Sequence, residues 1–174
     1  MDIEARVRQL EDTNEIRNLT TRYGLAMDER NVEETRAMFT PDAVLTSKDG
    51  VFAAEGIESI MTTFAGRWDV LGPTSHWVHG QIIEINPSDP DRATGTVTSH
   101  AELDRNREAV LVSLIYEDTY VRHEGIWKFA AREMGYFYYT PAEKYTETML
   151  SPNRNLAYDE PLPADYPVAL KQQQ

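Results

Sequence analysis

The stretch AVLVSLIYEDTYVRHEGIWKFAAREMGYFYY, residues 109–139, decides the fold. It is rich in β-branched and aromatic residues and is broken once, by His123-Glu124-Gly125, a turn short enough for a hairpin. Two more runs precede it, His76–Asn86 and Ala93–Asp104, separated by NPSDPD and followed by RNRE. Four strands in succession with such short breaks predict an antiparallel meander.

The region upstream reads differently. Ile16, Leu19, Tyr23 and Met27 recur at helical spacing, so residues 5–29 are expected to form an amphipathic helix. Asn31 before VEETRAMF supplies an N-cap and an acidic first turn, with Pro41 beyond as a stop. Ala43 to Thr46 and Val51 to Ala54 suit two short strands around the turn Lys48-Asp49-Gly50. Ile57, Ile60, Met61 and Phe64 then mark a third helix. Helices first and a long-stranded sheet second make an α+β domain rather than a doubly wound one. After Pro141 come Pro152, Pro161, Pro163 and Pro167. Residues 1–140 are therefore expected to be the domain, and 141–174 an irregular extension packed on the body or on a neighbouring subunit.

Seventeen Lys plus Arg against 29 Asp plus Glu give a net charge of −12, which repels phosphate backbones and anionic membranes, so neither nucleic acid nor membrane is an expected partner. No cysteine is present, which excludes a thiolate nucleophile and a cysteine-based zinc site. The charged N-terminal residues lack the apolar run of a signal peptide, and a cytoplasmic location is expected. No Gly-rich phosphate loop is present, so no nucleotide cofactor is expected. His76 and His79 fall on opposite faces of a strand, so no metal site is expected either. Leu111 and Ile115 oppose Val110, Val112 and Leu114, making a sheet apolar on both faces that suits a homo-oligomer, dimer or trimer.

Three segments, TRYGLAMDERN (21–31), SHWVHGQI (75–82) and YEDTYVRHEGIWKFAAREMGYFYYTP (116–141), resemble the SnoaL-like branch of the nuclear transport factor 2-like superfamily. Within it they are most similar to the lindane dehydrochlorinase, scytalone dehydratase and bile-acid dehydratase families. The resemblance implies a cone of N-terminal helices on a curved antiparallel sheet, the cystatin-like fold, and elimination by an Asp–His pair inside the cone. It carries that pair onto Asp28 and His79, and a family tyrosine onto Tyr23. Tyr138 stands where the bile-acid enzymes have arginine, and Tyr23 where lindane dehydrochlorinase has lysine.

The chemistry of such a pair is independent of the resemblance. A carboxylate holding one imidazole nitrogen fixes the tautomer and leaves the other nitrogen as a base, and a nearby phenol can donate to developing charge. Residue spacing alone leaves bland alternatives open: Asp28 as a solvated helix-end residue, His79 as a satisfied core histidine, and Tyr23 as plain core. Unbroken alternation would place His79 on one face with Trp77, Ile83 and Ile85, and Arg132 on one face with Met134, Tyr136 and Tyr138. Trp77, Arg132, Tyr136 and Tyr138 are therefore candidate substrate contacts, Arg132 as an oxyanion anchor or as a salt-bridged residue. His100 alternates with threonines and is either solvent-facing or a further polar group in the pocket. Two function classes follow: a cofactor-independent lyase or isomerase acting on a hydrophobic cyclic substrate, and a non-catalytic ligand-binding cone or dioxygenase small-subunit-like protein.

Overall fold

The computed structural model describes residues 2–171. Helix α1 spans Ile3–Asp28, its first turn capped by the Asp2 carboxylate, which accepts from the Ala5 amide at 2.8 Å. Helix α2, Val32–Ala37, begins at Asn31, whose side chain accepts from the Glu34 amide at 3.1 Å. Strands β1 (Phe39–Ser47) and β2 (Ala53–Glu55) form a small hairpin, and α3 (Ile57–Val70) follows Gly56 at φ 78°. Four long strands come next: β3 Leu71–Ile85, β4 Arg92–Arg105, β5 Glu108–His123 and β6 Ile126–Pro141.

The six strands form one sheet in the order β2-β1-β6-β5-β4-β3. The four long strands make the expected antiparallel meander, but β1 pairs parallel to β6, so the sheet is mixed. Strand β3 also starts five residues earlier than its apolar pattern indicates, because Leu71–Ser75 is mostly polar and small yet pairs with the end of β4. Helices lie on the concave face, and Ile16, Leu19, Tyr23, Ile60, Met61 and Phe64 meet the inner row of the sheet to give an α+β cone. Trp127 and Phe129 are buried there. Among the described residues no helix is long and apolar enough to cross a membrane.

Two of the sheet's β-bulges determine which histidine of β3 and which tyrosine near the end of β6 face the cone. On β3, Val78 lies opposite Ser99 and Gln81 opposite Val97, so β3 takes one extra residue at His79-Gly80. Thr98 Oγ1 holds the distortion by accepting from the Gly80 amide at 2.8 Å. On β6, Tyr138 lies opposite Ser113 while Tyr136 lies opposite Leu114, so Phe137 is the extra residue. Each bulge moves the inward row from one parity to the other.

The residues after Pro141 turn through a short helix, α4 (Tyr145–Met149), and return along the part of β6 that β1 does not reach. The Tyr139 amide donates to the Arg154 carbonyl at 2.9 Å, and the Asp165 amide to the Tyr136 carbonyl at 2.8 Å. Tyr158 Oη donates to Asp49 at 2.8 Å, tying this segment to the β1–β2 turn.

Candidate active site

The last turn of α1 brings Asp28 against the start of β3. Its Oδ1 accepts from Thr74 Oγ1 at 2.7 Å and meets His76 Nδ1 at 2.5 Å, and its Oδ2 accepts from the His76 amide at 2.8 Å. The Asp28 and His76 side chains are 16% and 19% exposed, enough shielding to strengthen the pairing without isolating it from solvent. Burial raises the Asp28 pKa, but the bonds from His76 and Thr74 outweigh it, and the net value lies below the ordinary one. Asp28 is thus an ionised, acceptor-only group at neutral pH, so His76 Nδ1 carries the proton and Nε2 is the basic nitrogen. A depressed folded value also means that this pairing stabilises the fold above the ordinary carboxylate range and is lost as pH falls through the folded pKa.

Gly24, one turn before Asp28, lets β3 come this close. A Cβ built there would lie 3.2 Å from His76 Cβ. Helix propensity favours alanine over glycine by about 1 kcal/mol, so the two effects oppose one another. Gly24→Ala is expected to leave the unfolding midpoint nearly unchanged while displacing His76 from Asp28, read as a shift of the hydrogen-bonded Nδ1–H proton resonance. An unmoved resonance would show that the glycine has no part in the geometry.

His76 lines a cavity of about 90 Å³ inside the cone, together with Tyr23, Trp68, Tyr116, Tyr136 and Tyr139 among others. Tyr23 and Tyr116 are both buried. Burial pushes the Tyr23 phenol up, with the neighbouring Arg132 guanidinium opposing it, and burial pushes Tyr116 up as well. Both hydroxyls therefore remain protonated donors at neutral pH.

The structure corrects the expected partner of Asp28: it is His76, not His79. Alternation counted back from Ile83 and Ile85 reaches His79, but the bulge at His79-Gly80 reverses the parity, and the inward residues are Thr74, His76 and Val78. His79 is exposed on the outer face, its ring centroid 6.4 Å from that of His100. Trp77 is 44% exposed and stacks on His100 at 6.0 Å, so neither Trp77 nor His100 faces the cavity. Tyr138 is displaced in the same way by the bulge at Phe137; it packs on Tyr145 at 5.4 Å outside, and Tyr139 takes the inward place.

Arg132 is inward but does not line the cavity. It forms a two-point ion pair with Asp118, 2.8 and 2.7 Å, and its guanidinium lies 4.3, 4.0 and 4.2 Å from the ring centres of Tyr23, Tyr116 and Phe129. The salt-bridged alternative holds, and the oxyanion-anchor role is not what this geometry offers. Of the remaining candidates, Tyr23 and Tyr136 face the cavity. The sequence reading missed His76, Thr74, Tyr116 and Tyr139. Gly80 inside an apolar strand was the available signal for the first two, since an isolated strand glycine marks a bulge.

Comparison with known proteins agrees with the fold. Residues 8–133 match the SnoaL-like domain family. The gamma-hexachlorocyclohexane dehydrochlorinase of Sphingobium indicum is 24% identical over 118 residues, covering 67% of this chain and 75% of that protein. A solved hexachlorocyclohexane dehydrochlorinase, LinA type 2, superposes with TM-score 0.72 at 20% identity, over 78% of this chain and 92% of its own. A Novosphingobium aromaticivorans protein, provisionally assigned as a scytalone dehydratase, gives TM-score 0.71 at 23% identity over 78% and 91%. Since the family match spans most of helix α1 and the sheet as far as the middle of β6, this chain belongs to the SnoaL-like domain family.

Proposed function

We propose that the protein is a cofactor-independent lyase or isomerase in which His76, oriented by Asp28, abstracts a proton from carbon on a hydrophobic cyclic substrate held in the cone. The observation that carries this is the 2.5 Å contact between His76 Nδ1 and an ionised Asp28, with His76 on the cavity wall. His76 Nε2 takes the proton and becomes imidazolium, which the Asp28 carboxylate stabilises. The electron pair of the broken C–H bond forms the new C=C bond, and the leaving group departs with its own bonding pair. In an isomerisation the pair instead delocalises into an adjacent carbonyl, and the proton returns at another carbon. Tyr23 or Tyr116 donates a hydrogen bond to the leaving atom or the enolate oxygen. The similarity to dehydrochlorinases supports this class of chemistry for the same cone.

The experiment is proton exchange in deuterated water, followed by NMR, with γ-hexachlorocyclohexane and a set of cyclic β-hydroxy and α,β-unsaturated ketones. Exchange or elimination that vanishes in His76→Ala supports the reading. Cyclic ketones that bind in the cavity with no exchange by the parent protein would overturn it.

We also propose a homo-oligomer built on the outer face of the sheet. The centre of that face carries Trp77, His100, Leu111, Ile115 and Tyr138, with Glu102, opposite Leu111, as the charged side chain beside them. Aromatic enrichment is a mark of an interface core. Ile115→Glu is expected to give a monomer by light scattering at micromolar concentration. A parent protein that is already monomeric there excludes the interface.

A further inference from the structure

Helix α3 contributes two adjacent residues to the cavity wall, Arg67 and Trp68, and both hold donors without acceptors. Arg36, Arg105, Arg122, Arg132 and Arg154, the other buried or half-buried arginines, each donate to a carboxylate or a carbonyl. Arg67 makes no ion pair or hydrogen bond through its guanidinium among the described residues; its one contact of this kind is with the Phe52 ring, 5.5 Å from its centre. Trp68 Nε1 is buried and has no partner. A donor left unsatisfied on an apolar wall costs free energy that a bound acceptor would recover.

The surroundings favour a negative acceptor. Burial raises the Tyr136 and Tyr158 phenols, with the Arg67 charge as a smaller opposing influence on each, and Tyr136 shares the cavity wall with Arg67. The acidic neighbour of those phenols, Asp49, is occupied by Ser47, the Val51 amide, Asn155 and Tyr158. An arginine facing an internal cavity without a counter-charge is uncommon in a chain carrying 29 acidic residues against 17 basic ones. The net charge of −12 opposes anions at long range, so selection for one has to come from contact inside the cavity.

We infer that the cavity accepts a substrate with a compact apolar ring and one carboxylate group, the carboxylate held by the Arg67 guanidinium and Trp68 Nε1. This rests on the cavity being the reaction site proposed above and adds its substrate class. The carboxylate serves as a remote anchor that orients the ring toward His76. A cavity of about 90 Å³ is smaller than the roughly 150 Å³ that suits benzene, so ring entry displaces wall side chains. Met27 and Met134, unbranched and adaptable, are on that wall.

The test is titration calorimetry of the full chain with benzoate and with benzamide, its neutral counterpart of nearly equal shape. Benzoate is expected to bind about 10–100-fold more tightly, the range of a charge-assisted hydrogen bond. Arg67→Gln should abolish that preference, Arg67→Lys should retain part of it, and His79→Ala, on the outer face, should leave the ratio unchanged. Equal binding of the two probes, no binding of either at millimolar concentration, or an undiminished preference in Arg67→Gln would each overturn the inference. If Arg67→Gln fails to fold, the parent ratio and Arg67→Lys decide. A preserved benzoate preference without proton exchange on any substrate would overturn the lyase reading and leave the carboxylate site standing.

Discussion

Replacing His76 by alanine is expected to lower turnover of an accepted substrate by about 10²–10⁴-fold, the usual contribution of a positioned base. Asp28→Asn should cost a similar factor by another route. An amide cannot hold Nδ1–H as a charged acceptor does, so the tautomer is no longer fixed and the imidazolium formed on proton transfer loses its counter-charge. Asp28 also accepts from Thr74 and from the His76 amide, so the substitution loosens the start of β3 as well. The double variant should lose little more than either single one, because the carboxylate acts through the imidazole. His79→Ala, on the outer face, should stay within about twofold of the parent, and Tyr23→Phe should fall between, losing one hydrogen bond to developing charge. Steady-state kinetics of these five proteins separates the alternatives. A multiplicative double variant would mean that the two residues act independently, and an inactive His79→Ala would return the base to the position that plain alternation indicates.

The two histidine positions show what the sequence made legible. Residue type and spacing placed Asp28 near the end of a long helix and a histidine at the start of a long strand, and α1 and β3 do meet there. Which histidine faces inward depends on strand parity, and parity depends on a single inserted residue at His79-Gly80. The same slip on β6 exchanges Tyr138 for Tyr139. Alternation is a local pattern, whereas a bulge is fixed by the opposite strand: Ser99 and Val97 are consecutive inward residues of β4, and β3 fits one residue too many between them. Leu71–Ser75 lacked an apolar signal for a related reason. Its Thr74 is inward but serves Asp28 rather than the core, so a polar residue stands where a strand pattern expects an apolar one.

The largest loss of stability is expected at Asp118. Its side chain is fully buried and that of Arg132 is 1% exposed, so Asp118→Asn leaves a guanidinium inside the protein without a counter-charge. Breaking a buried pair from one side typically costs about 3–5 kcal/mol. That is a large share of the roughly 5–15 kcal/mol that holds a domain together, and for this chain length it lowers the thermal midpoint by about 10 °C. Arg132 Nη1 already lacks an acceptor, and Tyr120 Oη donates to Asp118 at 2.6 Å, so the remaining groups cannot replace the carboxylate without a second loss. Removing both charges, Asp118→Leu with Arg132→Met, should restore part of the stability, because the desolvation cost of the charges goes while the buried Tyr120 hydroxyl loses its acceptor. It should not restore turnover. The guanidinium packs against the Tyr23 and Tyr116 rings on the cavity side, and a methionine leaves those phenols free to tilt away from the substrate. Thermal unfolding of the three proteins, with turnover measured on the same samples, distinguishes a pair that only holds the core from one that also positions the phenols. An Asp118→Asn midpoint within 1 °C of the parent would contradict the first role, and a double variant with full turnover the second.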